Sequence, residues 1–87
     1  MFQVGDKITY TGAFRNASAD ILKDKSYNGD PTEWVVKNVH GDQPNNLVYA
    51  YNPTGRAYKN KSDPRAFYVG DFELTRTEPE VYEEWFK

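Results

Sequence analysis

Apolar and polar positions alternate over several short stretches of the chain. Lys7-Ile8-Thr9-Tyr10-Thr11 places Ile8 and Tyr10 on one face and polar groups on the other, the period of a half-buried strand. Val4-Gly5-Asp6 before it and Gly12 after it read as turns. Glu33–Val39 is a second strand, rich in Val and Trp, ended by His40-Gly41-Asp42. Leu47–Tyr51 is a third. Its two faces, Leu47/Tyr49/Tyr51 and Val48/Ala50, are both apolar, so it is expected to be central or covered on both sides. Asn52-Pro53-Thr54-Gly55 is a turn, after which Arg56–Tyr58 reads as a short returning strand and Lys59–Arg65 as a polar loop. Ala66–Val69 and Phe72–Thr75 are the closing strands, with a tight turn at Gly70-Asp71.

Two segments do not follow that period. Residues 13–31 have two readings: one or two helical turns over 17–25 capped by Ser18, or a long irregular loop; Asn28-Gly29-Asp30-Pro31 is a strong break in either. From Thr77 the pattern becomes helical. Thr77 and Glu80 have capping-box spacing and Pro79 sits in the first turn. Val81, Tyr82, Trp85 and Phe86 then share one stripe opposite Glu83 and Glu84. So short a helix needs a surface to lie on, either its own barrel or a partner. From the alternation, Ile8, Trp34, Val36, Leu47, Tyr49, Phe67 and Leu74 are the expected core.

Composition narrows the class. A chain of 87 residues is expected to form one domain. Mean hydropathy is low at −0.88. The 16% aromatic content argues against disorder, because disordered chains are poor in these rings. With no cysteine there is neither a disulfide framework nor a thiolate metal site, which fits a cytoplasmic protein. No apolar run is long enough to span a membrane, and the N-terminus does not read as a signal peptide. The formal net charge of −2 hides a basic segment, 41–70, whose cations all fall within 56–65, and an acidic tail, 71–87.

The sequence offers little for catalysis. His40 is the single histidine, the residue type most used for proton transfer near neutral pH, and it stands in a turn without an evident nucleophile or orienting partner. Glu78, Glu80, Glu83 and Glu84 read as the solvated face of a helix rather than a metal site. The chain is therefore expected to be non-enzymatic, with no cofactor and no metal.

Three features point to binding. In 56–65, Arg56, Lys59, Lys61 and Arg65 surround Tyr58, which suits a nucleic acid or an anionic nucleotide. The same charges also suit a hairpin tip that blocks edge pairing. Tyr10, Tyr49, Tyr51, Tyr58 and Tyr68 are divided between core and surface, with about half expected inside. In the tail, Tyr82, Trp85 and Phe86 would cover the barrel or enter the groove of another protein. If the tail leaves them exposed, a homodimer is expected.

Phe2-x-Val4-Gly5-Asp6-x-Ile8-x-Tyr10-x-Gly12, Trp34-Val35-Val36-x-x-Val39 and Phe67-Tyr68-Val69-Gly70-Asp71-Phe72-Glu73-Leu74 resemble the opening, second and closing segments of SH3-like small barrels. KOW-type and tudor-type domains are among these, and the outline is similar to short bacteriophage accessory proteins. The glycine-rich second half of a KOW motif is absent, as are the acidic run and paired tryptophans of proline-peptide SH3 domains. The resemblance thus implies a fold and carries over no binding residue. It implies a mainly β chain: one SH3-like antiparallel barrel over 1–76 and a short acidic helical tail over 77–87. A protein partner is the expected ligand, in the manner of a phage accessory factor acting on a host protein. A nucleic-acid binder and a structural subunit are the alternatives.

Overall fold

The computed structural model describes residues 2–75. Five strands, β1 (Lys7–Tyr10), β2 (Trp34–Val39), β3 (Leu47–Tyr51), β4 (Arg65–Tyr68) and β5 (Phe72–Leu74), form one antiparallel sheet in the order β4-β3-β2-β1-β5. Two single helical turns, α1 (Asp20–Lys23) and α2 (Lys25–Asn28), lie in the long β1–β2 connection. A 3₁₀ turn, Val69–Asp71, links β4 to β5.

That link constrains the sheet. β4 and β5 are opposite edges of five strands, about 19 Å apart if flat at the usual spacing of about 4.8 Å. A three-residue 3₁₀ turn advances only about 6 Å. The sheet must therefore coil strongly to bring its edges together. Phe67 of β4 and Phe72 of β5 accordingly pack with ring centroids 4.8 Å apart. No strand pairing joins β4 to β5 among the described residues, so the sheet is coiled but not closed by a ladder.

The coiled sheet encloses a core built around four aromatic rings, Tyr10, Trp34, Phe67 and Phe72. Trp34 is wholly buried and meets Phe67 edge-on at 4.8 Å. Tyr10 lies opposite Phe72 in the β1–β5 ladder, and their rings meet edge-on at 5.2 Å. Ile8, Ile21, Val36, Val48 and Ala50 fill the remainder, with Tyr58 packed against the cluster.

Four of the seven expected core residues, Ile8, Trp34, Val36 and Phe67, are buried. Three are not. Leu47 is 38% exposed and Leu74 48%, while Tyr49 is half-buried. Alternation could not choose the inner face of β3, because both of its faces are apolar. The ladder chooses it: inward Val36 pairs with Ala50, which turns Val48 and Ala50 inward and Leu47, Tyr49 and Tyr51 outward. Leu74 ends β5, a strand at the edge of the sheet, and is left largely uncovered.

Of the two readings for 13–31, the helical one holds in broken form. Asp24 interrupts the two turns, and its carboxylate accepts the Tyr27 N–H, capping α2. Ser18 caps nothing; Ala19 precedes α1, and the Ser18 N–H donates to the Tyr10 hydroxyl. Arg56–Tyr58 forms no strand. The N–H groups of Arg56 and Ala57 both donate to the Tyr27 carbonyl, which folds this segment onto α2. The helix expected from Thr77 lies outside the described residues.

Candidate functional site: an aromatic–arginine cluster at the 3₁₀ turn

Asp71 organises one corner of the molecule. It is 1% exposed, and its Oδ1 accepts the backbone N–H groups of Phe14, Arg15 and Asn16 at 2.9, 2.7 and 3.1 Å. Its Oδ2 takes the Ala17 N–H at 3.4 Å. Its carbonyl accepts the N–H groups of Thr11 and Gly12. Successive backbone amides form a concavity suited to an anion, and here a side chain of the same chain fills it. Asn16 supports the curve at φ 51°, in the left-handed region that Asn tolerates.

This cradle fixes the start of the β1–β2 connection against the 3₁₀ turn and presents Phe14 and Arg15 outward. Phe14, 39% exposed, meets Tyr68 edge-on at 5.8 Å. The Arg15 guanidinium lies over both rings, 5.3 Å from Phe14 and 5.4 Å from Tyr68. Leu47 faces Tyr68 across the β3–β4 ladder, so it borders the cluster on the same face of the sheet. Gly70 lets the loops converge: a Cβ there would stand 2.7 Å from Phe14 Cβ and 2.8 Å from Pro44 Cβ. The cluster lies on open surface, since no pocket forms among the described residues.

The basic segment does not act as one patch. Arg65 turns inward: Nη1 and Nη2 bond the Asp20 carboxylate at 3.0 and 3.1 Å, and Nη1 also bonds Asn28 Oδ1 at 2.9 Å. The guanidinium also stacks over Tyr58 and Phe67. These bonds hold the Asp20 carboxyl below its ordinary value. Arg56 lies over the Tyr27 ring at 5.6 Å. Tyr58 packs against the core. Lys59 and Lys61 are exposed, without an ion pair among the described residues. Of the expected binding set, the structure thus brings Tyr58 and Arg65 together as part of the packing, and leaves Lys59 and Lys61 outside. Tyr82, Trp85 and Phe86 lie outside the described residues.

Of the five tyrosines that the sequence divides between core and surface, about half of which are expected in the core, Tyr10 alone is fully buried. Tyr10 is buried, its hydroxyl pushed above its ordinary pKa chiefly by that burial, and Tyr58 packs on the core. Tyr49, Tyr51 and Tyr68 are half-buried on the outer side of the sheet. His40 is exposed and meets Tyr49 edge-on at 5.3 Å. Sequence reasoning missed Phe14 and Arg15, which sit in a stretch without periodicity. The available signal was an aromatic beside an arginine where nothing in the pattern required burial.

No helix among the described residues is long and apolar enough to cross a membrane. No family model, curated protein or solved structure matches the chain.

Proposed function

We propose that the chain is a small non-enzymatic binding module of SH3-like form that engages a protein through the surface around Phe14, Arg15 and Tyr68. The strand order β4-β3-β2-β1-β5, the long β1–β2 connection and the 3₁₀ turn before β5 support the SH3-like reading. The observation that carries the function is the Arg15 guanidinium stacked on two partly exposed rings. Arginine and aromatic residues dominate the energetics of protein interfaces. Their backbone is already held by Asp71, so less ordering cost remains to be met on binding. The nucleic-acid reading is weaker, because within the basic segment Arg65 is committed to Asp20 and Asn28 and Arg56 lies over Tyr27, which leaves Lys59 and Lys61 unengaged there.

Affinity capture from the source cell, with and without nuclease, tests this reading. A protein should be retained after nuclease by the wild type and lost by a Phe14→Ala/Tyr68→Ala variant that stays folded. Loss of every partner on nuclease treatment would instead favour nucleic-acid binding through Lys59 and Lys61.

A further inference from the structure

Asn28 and Gly29 form the one Asn-Gly pair in the sequence. Wherever such a pair is free to move, the glycine amide nitrogen can attack Cγ of the asparagine, because no side chain shields its approach. The N–C bond forms, the Cγ–Nδ2 bond breaks, and the nitrogen leaves as ammonia with the proton of the Gly29 N–H. Water then opens the five-membered imide at either carbonyl, leaving an aspartate or an isoaspartyl linkage at position 28.

In the folded chain both reacting groups are engaged elsewhere. The Gly29 N–H donates to the Lys25 carbonyl at 2.8 Å. Asn28 is 1% exposed; its Nδ2 donates to the carbonyls of Asp24 and Asp20 at 3.2 and 3.3 Å, and its Oδ1 accepts from Arg65. Reaction requires α2 to open and these bonds to part.

The products do not fit the native site. A Cβ on Gly55 would stand 2.6 Å from the Asn28 carbonyl carbon and 2.8 Å from the Gly29 nitrogen. An isoaspartyl linkage inserts a methylene into that same stretch of backbone, where there is no room for it. The aspartyl product loses the Nδ2 donors. It also places a second carboxylate beside Asp20, whose Oδ2 is 3.4 Å from Asn28 Nδ2. We propose that Asn28-Gly29 is a self-modification site that the fold holds closed and unfolding opens, so that isoaspartyl formation there removes a chain from the refolding pool.

Full-length protein is incubated at neutral pH with and without urea, and the tryptic peptide spanning residues 26–37 is assayed for isoaspartate. Isoaspartate should accumulate in urea and form on the order of a hundredfold more slowly in the native state, where the rate follows the population of the open form. Gly29→Ala, followed in urea so that its folding does not matter, should lose the signal. Isoaspartyl product purified from urea should fail to regain the native spectrum on dilution. Equal rates in folded and unfolded protein, or an unfolded wild type no faster than Gly29→Ala, would overturn the site. Recovery of the native spectrum by the isoaspartyl product would overturn its consequence.

Discussion

The Arg65 guanidinium holds both carboxylate oxygens of Asp20, 45 residues away in the sequence, at 3.0 and 3.1 Å. The pair ties β4 to α1, and the further bond to Asn28 extends it to α2. Arg65 is the shielded partner, its side chain 21% exposed against 54% for Asp20.

This pair predicts an acid-dependent loss of stability. Arg65 holds the folded-state Asp20 pKa below its ordinary value. The contribution is therefore fully present above the unfolded pKa, near 4, and is lost as pH falls through the lower folded value. Asp30 is shifted the same way by its bonds to Thr32 and adds to the same trend. Because Asp20 is half exposed, Asp20→Asn should cost under about 1 kcal/mol at neutral pH. Urea midpoints of wild type and variant, measured from pH 6 to pH 2, should converge in acid. A gap that widened as pH fell would contradict the assignment.

Asp71 should matter more. Asp71→Ala leaves the amides of Phe14, Arg15 and Asn16 without their acceptor at a buried position. A donor left unpaired costs about 1–3 kcal/mol where water cannot replace the acceptor, and these three bonds are partly buried, so a loss of about 1–3 kcal/mol is expected. Hydrogen exchange gives the local readout. Amides 14–16 should lose protection first, while those of β2 and β3 remain slow under native conditions.

The same two residues show where sequence reading reaches its limit. Alternation located β1, and runs of β-branched and aromatic residues bounded by turn residues located β2 and β3. It could not orient β3, whose faces are equally apolar, nor see that Arg65 and Asp71 serve packing. Both act through partners about 45 and 55 residues away, and no local pattern encodes such distances. Phe14 and Arg15 were equally hidden. Their backbone is shaped by a carboxylate more than 50 residues along the chain, not by a propensity of their own.

Trp34 is the centre of the core, in contact with Phe67 and wholly buried. Trp34→Ala should cost about 3–5 kcal/mol, comparable to the whole stability of a domain this small. A melting temperature within a few degrees of wild type would show that the coiled sheet has another centre.

Gly70 separates the stability of the fold from the presentation of its surface. Its φ is not in the left-handed region, so backbone conformation does not demand glycine. Space does: a Cβ would come within 2.8 Å of Pro44 and closer still to Phe14. Neither side chain belongs to the buried core, but both clashing atoms are Cβ atoms, so the two loop backbones must shift, that of Phe14 against its bond to Asp71. Gly70→Ala should therefore move Phe14 and Pro44 apart at a cost of about 1–3 kcal/mol, typical of overpacking, without unfolding the chain. The Phe14–Tyr68–Arg15 stack depends on where Phe14 sits, so partner capture should fall in this variant although the core persists. Amide chemical shifts would check both halves of the expectation. Changes should concentrate at residues 12–16, 43–47 and 68–72, with Ile8, Trp34 and Val48 unmoved. Retained capture alongside displaced loop shifts would show that the partner reads a different surface.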